Sequence, residues 1–152
     1  MLSQRCRYAL KALINLARAG GAPRGVSLIA AEENIPRKFL EAIMSDLRRS
    51  GLVESTRGKS GGYKLICSPG RLTIGQIIRA VDGPIAPTRC VSASAYAKCD
   101  DCPDEMMCAI RPLMQEVREA ISRAVDLKTL EALARETDGR SLARVQAGDF
   151  AI

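Results

Sequence analysis

PRKFLEAIMSDLRRSG (residues 36–51) runs directly into LVESTRGKSGGYKLI (residues 52–66). In the first stretch Phe39, Leu40, Ile43, Met44 and Leu47 recur at i, i+1, i+4, i+5 and i+8, one apolar stripe of a helix. Pro36 suits its first residue, and Gly51 the position just past its end. The second stretch alternates apolar and polar residues on either side of Arg57-Gly58-Lys59-Ser60-Gly61-Gly62. Two short strands joined by a Gly-rich basic turn make a hairpin.

Working outward, Ser3 can cap a first helix, whose apolar positions include Tyr8, Leu10, Leu13, Ile14 and Leu16 and which Gly20-Gly21 ends. Ser27 can cap a short second helix through Glu33, with Leu28, Ile29 and Ala30 turned inward. Asn34-Ile35 supplies the turn into the helix of residues 36–51. Helix, turn, helix and basic hairpin in that order make a winged helix-turn-helix. Downstream, Thr73 can cap a fourth helix through about Val81, stopped by Asp82-Gly83-Pro84.

Residues 83–101 read as an irregular loop. Pro103 is expected to start a long helix to about residue 125, with Met107, Ile110, Leu113, Met114, Val117, Ile121 and Val125 as its stripe. Pro112 inside that pattern predicts a kink or break near residue 111. Too little chain remains to bury such a helix, so Ile110, Leu113, Met114, Val117 and Ile121 are expected to pack on a second copy. Thr129–Ala134 adds a short helical turn. The fold class expected is mainly α with a small β-hairpin wing, a winged helix-turn-helix domain plus a long C-terminal dimerisation helix. The boundaries are 1–83 for the DNA-binding domain, 84–102 for a cysteine-bearing loop, 103–136 for the dimerisation helix and the short helix after it, and 137–152 for a flexible tail.

Composition narrows the function classes. The chain has 152 residues, 47% of them hydrophobic, with no Trp and no His. Without histidine, Ser-His-Asp and Cys-His catalysis and His-ligated metal sites are excluded. With no phosphate-binding loop or convincing acid–base pair either, an enzyme is not expected. Five aromatic residues are too few for base-stacking platforms. Residues 1–75 hold 13 Lys/Arg against 5 Asp/Glu, or +8, within a total of +6, so the first half suits a polyanion. Neither a signal peptide nor a membrane-length apolar run is evident, and a cytoplasmic protein is expected.

Four of the six cysteines fall within nineteen residues: Cys90, Cys99, Cys102 and Cys108, spaced C-x8-C-x2-C-x5-C. Clustered cysteines in a reducing compartment more often bind metal or switch redox state than form structural disulfides. Thiolates gathered in one loop suit a soft metal ion or an iron–sulfur cluster. A four-thiolate zinc and a thiol–disulfide switch stand as alternatives. With Pro103 as first helical residue, Cys102 would cap the helix and Cys108 would lie near its positive end, favouring thiolate. Cys6 and Cys67 read as buried packing residues.

The chain resembles the IscR-type (Rrf-two) family of bacterial winged-helix regulators. The matching pieces are Arg7-Tyr8-Ala9-Leu10, Phe39-Leu40-Glu41, Gly51-Leu52-Val53, Ser55-Thr56-Arg57-Gly58, Gly61-Gly62-Tyr63, Ala80-Val81-Asp82-Gly83 and the cysteine loop leading into a long helix. The resemblance spans residues 1 to about 130. It implies a homodimer, bound to a double-stranded DNA operator of two-fold symmetry and acting most often as a repressor. It implies for some members a cluster, 2Fe-2S or 4Fe-4S, on three loop cysteines, sensing iron, redox state or nitric oxide. Cys90, Cys102 and Cys108 match those ligands; Cys99 is an added fourth candidate that three-cysteine members lack. On the recognition helix Arg37, Lys38, Glu41 and Arg48 face DNA, with Glu41 selecting sequence. On the wing Arg57, Gly58, Lys59, Ser60 and Lys64 reach phosphates or the minor groove, where Gly58, Gly61 and Gly62 allow close approach.

Overall fold

The computed structural model describes residues 2–58 and 60–136. Lys59 and the expected tail of 137–152 lie outside the described residues. The first helix, α1 (Gln4–Arg18), starts where Ser3 Oγ accepts a hydrogen bond from the Cys6 N–H at 3.0 Å. That satisfies one of the donors a helix start leaves free. The same serine donates its backbone N–H and its hydroxyl to the Asp82 carboxylate, at 2.9 and 2.5 Å. The start of α1 is thereby tied to the end of the fourth helix. Cys6, Ala9, Ala12, Leu13 and Leu16 form the buried face of α1.

The second helix, α2 (Val26–Glu33), begins two residues earlier than expected, with Gly25 rather than Ser27 at its cap. Ile29 and Ala30 are buried, but Leu28 is 49% exposed, against expectation. With only one turn on either side, α2 can turn a single narrow face inward, and Leu28 falls outside it. Asn34, in the left-handed conformation (φ 52°), ends the helix.

The third helix, α3 (Arg37–Arg49), follows Pro36 at its cap. Leu40, Ile43, Met44 and Leu47 are all buried, each stabilising the fold by roughly 1.5–3 kcal/mol through burial. Phe39, expected in the same stripe, is 44% exposed and packs edge-on against Tyr8 of α1, with ring centroids 5.8 Å apart. Gly51, at φ 72°, takes the left-handed position that ends such a helix.

The wing is an antiparallel pair, β1 (Val53–Thr56) and β2 (Gly62–Leu65), with Val53 opposite Leu65 and Thr56 opposite Gly62. A bridge between Arg24 and Tyr63, with both N–H···O bonds at 2.9 Å, fastens β2 to the segment before α2. A Cβ on Gly62 would lie 2.4 Å from the Arg24 carbonyl carbon. Only glycine permits that approach.

The fourth helix, α4 (Ile74–Asp82), carries a complete capping box between Thr73 and Gln76. Ile74, Ile77 and Ile78 of α4 join the core shared by α1, α2 and α3. The loop beyond contains one short 3-10 turn, Arg89–Val91. The long helix α5 spans Arg111–Asp126, not 103 to 125. Pro112 explains the difference: it has no N–H to donate and its fixed φ fits a first turn, so the helix begins there instead of kinking.

After α5 the chain returns to the first domain. Ile74 N–H bonds the Lys128 carbonyl at 2.9 Å and Leu130 N–H bonds the Leu72 carbonyl at 2.8 Å. Residues 130–136 are helical and form α6, whose Leu130 is wholly buried in the core. No helix among the described residues is long and apolar enough to cross a membrane.

Candidate nucleic-acid interface and thiol site

One face of the molecule joins α3 to the hairpin. Arg37, Lys38, Glu41 and Arg48 are all exposed on α3, opposite its buried stripe. Arg37 Nε donates to Glu41 Oε1 at 2.8 Å, one helical turn on. Arg48 reaches across to the Ser55 hydroxyl at 3.3 Å, linking helix and wing. Asp46 takes up two further cations, Arg5 of α1 and Arg49. Thus Arg37 and Arg48 are held in place by partners on this same face, while Lys38 projects outward.

On the wing, Arg57, Gly58 and Ser60 are exposed. Lys64 is half-buried and pairs with Glu54 across the strands at 3.0 Å. Of the three hairpin glycines, Gly58 (φ 112°) has open space around the position of a Cβ. Gly61 and Gly62 answer to contacts inside the protein: a Cβ on Gly61 would meet the Thr56 carbonyl oxygen at 2.4 Å. Their need for glycine is set by the hairpin and its bridge to Arg24.

The second site is the cysteine loop. Cys90, Cys99, Cys102 and Cys108 all line one cavity of about 240 Å³, together with Met107, Ile110 and, from the first turn of α5, Arg111 and Met114. Local bonds fold the loop around it. The Ala97 N–H bonds the Arg89 carbonyl at 3.3 Å, and the Cys102 N–H bonds the Cys99 carbonyl at 3.2 Å. Lys98 Nζ donates to the Pro103 carbonyl at 3.1 Å. The Tyr96 hydroxyl lies 2.8 and 2.9 Å from the two Glu105 carboxylate oxygens. Cys90 is buried beside the Thr88 hydroxyl at 3.4 Å; the other three loop cysteines are half-buried.

The expected capping of Cys102 does not occur, since residues 103–110 are not helical. Cys108 instead stands two residues before Ile110, the α5 cap. A hydrogen bond with Cys90 pushes the Cys99 thiol above the usual range. Partial burial, then the neighbouring Cys108, do the same for Cys102. Among the described residues, no three Cys, Asp or Glu side chains stand in an arrangement that grips one ion. The donor chemistry nevertheless fits a thiolate-held group, with four thiols on one cavity wall and no competing imidazole. Loading it would require those thiols to lose their protons.

Cys6 is fully buried, as expected, and its pKa is raised to about 11 by burial and the adjacent Asp82 carboxylate. Cys67 is exposed, not buried, because it lies past the end of β2 on a surface segment. On α5, Ile110, Leu113 and Ile121 are 60, 55 and 43% exposed, Met114 and Val117 are half-buried, and no residue of the helix is fully buried. The Arg79–Asp126 pair has no signal in the sequence, because it is a long-range contact no periodicity reveals. The helical turn expected over Thr129–Ala134 is the start of α6, and its return into the core through Leu130 and Ala134 was not expected.

A family model described as an iron-dependent transcriptional regulator, Rrf2, matches residues 2–136. An Rrf2-like helix-turn-helix transcriptional regulator of Rhodobacter capsulatus is 44% identical over 135 residues, which cover 86% of this chain and 90% of the relative. The helix-turn-helix transcriptional regulator IscR of Aliivibrio salmonicida is 30% identical over 152 residues, 99% of this chain and 87% of the relative. Among solved structures, CymR, described as the global cysteine regulator of B. subtilis, superposes with a TM-score of 0.74 at 36% identity, covering 90% of this chain and 97% of its own. These relatives are named as regulators, not enzymes. The chain belongs to the Rrf2 family of winged-helix transcriptional regulators.

Proposed function

We propose that this regulator is a homodimer that binds a two-fold related operator, with affinity set by a thiolate-held iron–sulfur cluster on Cys90, Cys102 and Cys108, and with Cys99 as the fourth candidate. The observation that carries the reading is the convergence of all four loop thiols on one cavity, walled by the first turn of α5. Such a cluster supplies reactivity toward oxidants and nitric oxide and a dependence on iron supply. The chain's own residues supply the connection to DNA. The loop packs against α5, Arg79 and Asp126 join α5 to α4, and α4 packs on α1, which packs on α3. The dimer is assigned to the apolar stripe Ile110, Leu113, Met114, Val117 and Ile121, of which Ile110, Leu113 and Ile121 are exposed.

DNA contact is assigned to Arg37, Lys38, Glu41 and Arg48 on α3 and to Arg57, Gly58, Lys59, Ser60 and Lys64 on the wing. Repression is the output we assign, by steric occupation of a promoter. Purification without oxygen, followed by iron, acid-labile sulfide and zinc assays and a visible spectrum, tests the cofactor. Matched iron and sulfide, lost in Cys90→Ser, Cys102→Ser and Cys108→Ser, is the expected result. Stoichiometric zinc in colourless protein would replace the cluster with a zinc-controlled regulator. Metal-free protein that cannot be reconstituted would leave thiol chemistry, which the gathering of four free cysteines on one cavity favours as the second reading.

A further inference from the structure

The four loop cysteines are not equivalent. The Ala97 N–H···O bond to Arg89 (3.3 Å) and the Arg89–Asp100 ion pair (4.0 Å) lay the segment ending at Cys99 alongside the one holding Cys90. Both thiols line the same cavity, and the interaction between them pushes the Cys99 thiol above its ordinary range. Cys102 sits beyond the turn closed by its own N–H on the Cys99 carbonyl, and Cys108 beyond a second turn on the Glu105 carbonyl at 3.4 Å. Cys99 is also the thiol that the three-cysteine ligand pattern does not use. We propose that Cys90 and Cys99 are a redox pair: in the metal-free chain a hydroperoxide converts them to a disulfide, which withdraws Cys90 from the ligand set and locks the site against reloading.

This rests on the reading of the loop as a thiolate site, and it assigns Cys99 a role there separate from ligation. The chemistry balances with the peroxide as sole oxidant. One sulfur of the pair, as thiolate, attacks a peroxide oxygen; the O–O bond breaks, and the departing hydroxide takes a proton to leave as water. The resulting sulfenic acid is attacked by the second sulfur. The S–S bond forms as the S–O bond breaks, and the second thiol's proton leaves with the hydroxide as another water. Two thiols and one hydrogen peroxide give one disulfide and two waters. A cellular dithiol would reverse the step by exchange. Cys90 is buried and Cys99 half-buried, so intramolecular closure competes well with capture by a bulky external thiol.

The test uses the full chain, stripped of metal by chelation under reducing conditions, desalted without oxygen and treated with hydrogen peroxide. Free thiols are titrated and the mass is recorded. After blocking the remaining thiols, the chain is cut at Lys98 and before Asp100, which puts Cys90, Cys99 and Cys102 on separate peptides. The expected result is loss of two of the six thiols, a mass decrease of about 2 Da per disulfide, and a single linked pair, Cys90 to Cys99. Cys99→Ser should abolish the link and leave oxidised Cys90, whereas Cys102→Ser should leave the link intact. A link mapping to any other pair, or retention of all six thiols, would overturn the proposal, and both are read on the unsubstituted chain. Iron and sulfide are measured on an untreated aliquot. A cluster without the link refutes this inference alone, while the link without a cluster refutes the cluster reading and leaves the pair standing.

Discussion

Leu40 touches no solvent and sits where α3 meets the rest of the core, so its side chain reports how firmly the recognition helix is held. Leu40→Ala removes buried methyl groups and leaves a cavity, and should cost about 2–5 kcal/mol in urea unfolding. Glu41 works at the same scale but on the opposite face. Its carboxylate fixes the Arg37 guanidinium, and near DNA it repels phosphate while being able to accept from cytosine N4. Glu41→Ala should therefore narrow the gap between operator and unrelated duplex by about 1–3 kcal/mol, seen as tighter binding to the unrelated duplex in a competition gel-shift. Unchanged discrimination would remove Glu41 from sequence reading. Residue-scale features of this kind were largely legible: the stripe of Leu40, Ile43, Met44 and Leu47 follows directly from helical periodicity. Phe39 and Leu28 were not, because periodicity marks a face without saying how wide a face the neighbours cover.

Between elements, two joints hold α5 to α4 and the wing to the segment before α2. Arg79 donates to both Asp126 carboxylate oxygens, at 2.6 and 2.8 Å, clamping the end of α5 to α4. That hydrogen bonding holds the Asp126 carboxyl below its ordinary 3.8. A carboxyl lowered in the folded state adds stability above the ordinary carboxylate range and loses it as pH falls through that range to the lowered folded value. Asp126→Asn should cost about 0.5–1 kcal/mol near pH 7, since both partners are more than a third exposed, and clearly less near pH 3. Paired urea titrations of the two chains at both pH values check this; an equal loss at both would mean that packing, not charge, makes the joint.

The second joint is Gly62 against Arg24. Gly62→Ala should unfasten the wing and weaken operator binding while leaving the helical core folded, which circular dichroism and a gel-shift on one sample can separate. The hairpin itself was legible from its alternation and Gly-rich turn, and the α4 cap from Thr73, though not the returning Gln76 side chain that completes its capping box. The start of α5 was misread because Pro103 and Pro112 carry the same local signal. Tertiary context chose the later one, and with it placed Cys108 just ahead of the helix and Cys102 in the loop.

Across the whole molecule, α5 is held at both ends yet leaves Leu113 and Ile121 of its apolar stripe exposed. The Cys108 segment and cavity lie at its start, and the Asp126 clamp and the Leu130 anchor at its end. Leu113→Glu places a charge in the middle of that stripe and should convert a dimer to a folded monomer in sedimentation equilibrium; a dimer that persists would place the interface elsewhere. The location of the thiol site was legible from cysteine spacing alone. Its local geometry was not, because loop hydrogen bonds such as Ala97 to Arg89 leave no periodic trace. The account as a whole turns on whether the state of that loop reaches α3. Its most direct test is operator affinity measured without oxygen on one preparation, before and after the cluster is removed, at fixed salt. The account predicts a change of about 5–150-fold, the range of a typical coupling between two sites. Equal affinity in both states would contradict it.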